Sequence, residues 1–157
     1  MFYGILNEFF FRKAVKVNFI KSGVKIVGTE VKIIIYENKD KDSDIEKYKN
    51  EVKADAPIIN KYEDEIYDKS IKLLTKAMNK YYDGFSEANV EITKKDVVFK
   101  KCEYAPKYRT YTLEVEYKDK GDFGYAEVIT DCEIKVDGDN VNITTHITEY
   151  WYINPLG

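Results

Sequence analysis

Apolar and polar positions alternate at both ends of this chain and recur every three to four residues in its middle. In the first block, about residues 2–36, Val15, Val17 and Phe19 alternate with Lys16 and Asn18, the two-residue period of a strand. Lys21-Ser22-Gly23 reads as a turn, and Val24 to Tyr36 is rich in β-branched residues with Gly28 as a bulge or bend. Val31, Ile33 and Ile35 share one face of this second strand, while Ile34 and Tyr36 make its other face apolar as well.

The middle block, about residues 44–83, changes period. Asp44 is placed to cap a short helix carrying Ile45, Tyr48 and Val52. Asp55 followed by Pro57 reads as a fresh helix start. From there Ile58, Ile59, Tyr62, Ile66, Leu73, Leu74, Ala77, Met78, Tyr81 and Tyr82 form a stripe about seven turns long. Gly84 stands where a left-handed cap is expected, and Glu63, Asp64, Asp68 and Lys76 fall on the opposite face.

Alternation returns from about residue 96 to 153. Arg109, Tyr111, Leu113, Val115 and Tyr117 interleave with Thr110, Thr112, Glu114 and Glu116. Asp119-Lys120-Gly121-Asp122 reads as a turn. Ala126, Val128, Cys132, Ile134 and Val136 then oppose Glu127, Asp131 and Glu133. Asp137-Gly138-Asp139-Asn140 predicts a tight hairpin, after which Val141, Ile143 and Ile147 alternate with Asn142, Thr144 and His146. This is a meander with one dry and one wet face. Strands, then helices, then strands predict a single α+β domain over residues 1–157. It is an antiparallel sheet of about five to seven strands with one long and one short helix on one face, in the order β-β-α-α-β-β-β-β.

Composition supports a packed domain. With 157 residues, 44% apolar and 15% aromatic, the chain can bury roughly 70% of its unfolded surface without metal or disulfide support. The net charge of −3 lacks the basic footprint that nucleic acid or an anionic membrane requires. Distribution changes the picture more than the sum. Residues 11–36 hold six basic residues against one acidic, whereas residues 110–157 hold three basic against ten acidic. The start, MFYGILNEFFFRK, has its basic pair after the apolar run, so it reads as a strand instead of an export signal. Without a run long enough to cross a membrane, cytoplasm is the expected location.

Chemistry-bearing residues are sparse. Cys102 and Cys132 have no metal-ligand spacing and read as small buried apolar residues. The one histidine, His146, has no nucleophile joined to it by pattern. Asp137-Gly138-Asp139-Asn140 looks like a fragment of a calcium loop but lacks its closing glutamate. No Gly-rich phosphate loop follows a strand. The reading is therefore a non-enzyme with no cofactor and no metal site. One surface rises above this background. Glu114, Glu116, Glu127, Asp131 and Glu133 point away from the helices, and alternation places Tyr125, His146 and Tyr150 with them. Clustered acids steer a basic partner and aromatics supply contact area, so these eight residues form the expected protein-binding face.

The layout resembles a family of small bacterial domains of unknown function. The resemblance is carried by the aromatic-rich start Met1–Phe11, by Lys32–Tyr36, by Ile45–Tyr48, by the paired tyrosine in Met78-Asn79-Lys80-Tyr81-Tyr82, and by the acidic C-terminal meander. Such domains are often encoded among polymorphic-toxin immunity genes, so the resemblance implies an immunity-type inhibitor that binds a basic toxin domain. The alternative is a small-ligand-binding or structural adaptor domain whose pocket between helix and sheet is lined by Tyr62, Ile66, Tyr81 and Tyr117. A carboxylate hydrolase using His146 stands third.

Overall fold

The computed structural model describes residues 16–82, 91–121 and 124–153, with backbone alone at 80–82, 119–121, 124–126 and 149–153. The elements are β1 (Val17–Ile26), β2 (Thr29–Tyr36), α1 (Asp42–Asn60), α2 (Glu63–Tyr82), a 3-10 turn (Lys94–Asp96), β3 (Val97–Ala105), β4 (Thr110–Gly121), β5 (Gly124–Asp137) and β6 (Asn140–Ile153). The strands form one six-stranded sheet in chain order. Among the described residues, no helix is long and apolar enough to cross a membrane.

The sheet is mixed, which corrects the antiparallel expectation. Four neighbouring pairs are antiparallel, but β2 and β3 run parallel, with Val31 opposite Cys102 and Ile33 opposite Tyr104. The reason is the connection. Between β2 and β3 the chain travels through both helices, and such a crossover returns it in the starting direction. Thr29 Oγ1 donates to the Phe99 carbonyl at 3.3 Å and ties this seam.

The helices also divide differently from expectation. Both are long, and the break falls at Lys61–Tyr62 instead of Asp55–Pro57. Pro57 sits in the last turn of α1, and Asp55 is buried beneath it instead of capping a new helix. The start of α2 carries Glu63, Asp64 and Glu65, three carboxylates favoured at a helix N-terminus by the dipole. Asp44 closes the first turn of α1 from inside, accepting from the Lys41 N–H at 3.0 Å. The cap expected at Gly84 lies outside the described residues.

In the first hairpin the expected turn and bend exchange places. Lys21–Gly23 lies within β1, where pairing with β2 shifts between Lys21 and Lys25, and Gly23 takes φ +76°. The true turn is Val27-Gly28, both at positive φ, the pattern that matches hairpin twist. The Gly138 hairpin forms as expected, with Asp137 opposite Asn140 and Gly138 at φ +61°. The turn read at Asp119–Asp122 is partly strand, since β4 continues to Gly121, and residues 122–123 lie outside the described ones.

Both helices pack on one face of the sheet. Val52, Ile59, Ile66, Leu74 and Met78 meet Val31, Ile33, Cys102, Tyr104, Leu113, Val115, Val128, Cys132 and Ile134, all buried. Each full burial of a side chain such as Leu113 or Ile134 contributes roughly 1.5–3 kcal/mol. Cys102 and Cys132 share this face but both oppose Leu113, from β3 and β5, so β4 separates them and both are free thiols. The opposite face of the sheet carries the alternate residues, and there the acidic set expected from sequence is found.

Candidate functional site

Cross-strand register assembles the outer face row by row. Lys101, Glu114, Asp131 and His146 stand directly opposite one another on β3, β4, β5 and β6. The next row is Glu103, Thr112, Glu133 and Thr144. On the other side lie Val98, Glu116 and Ile129, and then Lys118 opposite Glu127. Directly opposed side chains lie close enough to interact, so each row is one electrostatic unit.

Lysines from β3 and β4 reduce the acidity that the C-terminal block displays on paper. Lys101 Nζ lies 3.2 Å from Glu114 Oε2 and 3.9 Å from Glu103 Oε1. The bond to Glu114 is the main cause raising the Lys101 pKa. Glu116 is held between Lys100 at 2.5 Å and Lys118 at 2.9 Å. Its side chain is only 4% exposed. Burial works to raise its pKa, but the bonds and charges of the two lysines outweigh it and the net shift is downward. Glu116 is therefore a buried structural ion, which removes it from the open surface expected from alternation.

Asp131 and Glu133 differ. Among the described residues, no lysine lies within ion-pair distance of either, and the partner found is His146, whose Nε2 is 4.0 Å from Glu133 Oε1. Burial raises the Asp131 pKa, and the like charges of Glu114 and Glu133 add to it against the opposing pull of His146 and Lys101. Glu114, Asp131, Glu133 and His146 thus come together as one patch. Glu127 joins the same face one row beyond Glu116.

The two tyrosines are placed by register alone. A shift between Ile129 and Thr130 puts Tyr150 opposite Val128, a position of the core-facing set, and Tyr125 opposite Ile153. Thr148 Oγ1 donates to the Ile129 carbonyl at 3.1 Å at this irregularity. The side chains of Tyr125 and Tyr150 lie outside the described residues.

A second polar cluster sits on the inner side. Tyr104 donates to Glu51 at 2.6 Å and Tyr111 to Asp55 at 2.7 Å, the two rings stacked at 4.4 Å. Arg109, at φ +51°, spans both carboxylates at 3.1 and 3.3 Å. Burial, and then the bonds to these carboxylates, push both phenol pKa values up. Sequence reasoning missed this cluster. The available signal was the four-residue spacing of Glu51 and Asp55, which puts two carboxylates on one helix face. Every member has a partner, so the arrangement reads as a clamp of α1 onto the β3–β4 turn.

For the pocket alternative, Ile66 and Tyr117 are core residues, the Tyr62 hydroxyl donates to the Asp139 carbonyl at 3.2 Å, and the Tyr81 side chain lies outside the described residues. Among the described residues, no three His, Cys, Asp or Glu side chains gather to hold a metal ion. No protein-family model matches this chain, and neither does any curated protein or solved structure.

Proposed function

We propose that this chain is a non-catalytic protein-binding module, an immunity-type inhibitor that docks a basic toxin domain on the outer face of its sheet. The observation that carries the reading is the row Glu114–Asp131–His146 with Glu133 beside it, on the face opposite both helices. Burial and the like charges of Glu114 and Glu133 disfavour the charged form of Asp131, against the pull of His146 and Lys101. Unfavourable charge of that kind is a feature of functional sites. A basic surface laid on this patch relieves the repulsion, and the same field speeds encounter. The outer ends of the patch, Lys101 and Lys118, limit where such a partner sits and bias it toward β5 and β6.

The test is complex formation with the product of a toxin-like gene adjacent to the one encoding this chain. A complex is expected that weakens as salt rises from about 0.1 M to 1 M, where the Debye length falls from about 10 Å to about 3 Å. The joint change Asp131→Asn and Glu133→Gln weakens it further. Absence of such a gene, or a complex indifferent to both salt and the joint change, sinks the reading.

A further inference from the structure

The patch ends at a strand edge whose two halves are treated differently. β6 is the last strand of the sheet, so among the described residues one side of its backbone is unpaired. Helix α2 covers the first half. Lys69 Nζ donates to the Ile143 carbonyl at 3.1 Å, and the Tyr62 hydroxyl reaches the Asp139 carbonyl and Asn140. The second half, Thr144 to Thr148, has no such cover among the described residues.

The backbone direction follows from the Lys69 bond. The Ile143 carbonyl points away from β5, because Lys69 reaches it there. In an antiparallel strand, N–H and C=O of one residue point the same way and alternate along the chain. The polar groups of Thr145 and Ile147 therefore also point outward.

Natural sheets guard such edges with charged residues or proline. From Asn140 to Thr148 the sequence is NVNITTHIT, which contains no lysine, acid or proline. Ile147 is 44% exposed at the same place. The opposite edge, β1, is guarded by Lys21 and Lys25 and interrupted at Gly23.

We propose that β6 accepts an extended, basic protein segment as an added seventh strand along Thr144–Thr148. The inference rests on the protein-binding reading above and specifies its mode. Charge selects the occupant. A residue added beside Thr144 on the outer face stands about 10 Å, two strand spacings, from Glu133. A lysine or arginine there spans the small Thr144 and meets Glu133, with Asp131 in the next row. Alternate apolar residues of the segment cover Ile147. A second copy of this chain pairing through β6 brings Asp131 and Glu133 of both copies onto one continuous face, and like charge disfavours it.

The probe is a synthetic peptide of about ten residues alternating Lys and Val, long enough for a typical strand. Binding is followed by amide hydrogen exchange on the full chain. The Thr145 and Ile147 amides are expected to gain protection, while those of Thr144 and His146, already facing β5, change little. Thr145→Pro, which removes an outward donor and leaves the β5–β6 ladder intact, is expected to weaken binding about tenfold. Ile147→Lys supplies an edge charge and gives the same loss if the proline variant fails to fold. Replacing Lys by Glu in the peptide abolishes binding.

No binding of the Lys-Val peptide, or equal binding of the Glu-Val peptide, overturns the proposal. Binding without protection of Thr145 and Ile147 also overturns it but leaves the acidic face as a docking surface. Concentration-dependent dimers that protect the same two amides without peptide overturn it in favour of a second copy. Loss of the toxin complex itself, by contrast, tells against the protein-binding reading and not only against this mode.

Discussion

The Tyr111 hydroxyl donates to Asp55 Oδ2 at 2.7 Å, joining the middle of the sheet to the helix above it. This bond explains why a residue that reads as a helix cap lies instead in the last third of α1. Asp55 turns into the layer, where Arg109 is its second partner at 3.3 Å. Removing the carboxylate by Asp55→Ala strands a buried hydroxyl and part of a guanidinium, at a cost of roughly 1–3 kcal/mol. Urea unfolding is expected to show that loss, and Asp55→Asn, which keeps an acceptor, should lose less.

The Val27 N–H donates to Asn60 Oδ1 at 2.9 Å, and Asn60 Nδ2 donates to the Lys25 carbonyl at 3.1 Å. The end of α1 thus clasps the first hairpin at a β-branched residue with φ +51°, a conformation such side chains rarely adopt. Asn60→Ala is expected to destabilise by about 1 kcal/mol, a fall of roughly 2–4 °C in Tm. An unchanged Tm would show that the turn holds itself.

Asp131 has a raised pKa in the folded protein, so its charge opposes folding at neutral pH. The sign is that of a group whose contribution to stability is full below its ordinary value of 3.8 and lost as pH rises through the folded value. Asp131→Asn is therefore expected to raise the urea midpoint at neutral pH, with the gain vanishing in acid. If the proposed docking on this face holds, the same variant is expected to weaken the toxin complex, so stability and binding would move in opposite directions.

Glu116 has the opposite sign. Its folded pKa lies below the ordinary 4.5, so the stability it contributes is present above that value and is lost as pH falls through the folded one. Glu116→Gln is expected to lower stability at neutral pH and to flatten the acid limb of the stability–pH curve. A limb as steep as the parent's would assign acid unfolding to other carboxylates.

Burial pushes the Cys102 and Cys132 thiols from 9.0 up to about 12. Protons stay on them in the folded state at a pH where the unfolded chain releases them. Their contribution is whole below 9.0 and declines as pH rises toward about 12. Iodoacetamide at mildly basic pH is expected to leave both unmodified in the native protein and to alkylate both after denaturation. Modification of the native protein at the rate of the unfolded chain would contradict their burial.

Periodicity alone determined much of this molecule. The order of strands and helices, the dry faces Tyr111–Leu113–Val115–Tyr117 and Val128–Cys132–Ile134, the Gly138 hairpin and the outward set Glu114, Asp131, Glu133 and His146 all follow from two-residue alternation, because a strand side chain has only two directions to take. Tertiary structure decided what depends on neighbours distant in sequence. The parallel seam between β2 and β3 comes from a crossover through two helices, and periodicity within a strand carries no record of its partner's direction. The break at Lys61–Tyr62 arises because Asp55 has a better partner in Tyr111 than in a new helix N-terminus. Glu116 left the open face because Lys100 and Lys118 close on it from another strand and from its own. Beyond the Thr148 irregularity, Tyr150 moved to the register of Val128. Charge counted along a chain is a sum, whereas charge on a surface depends on which lysine the fold sets beside which acid.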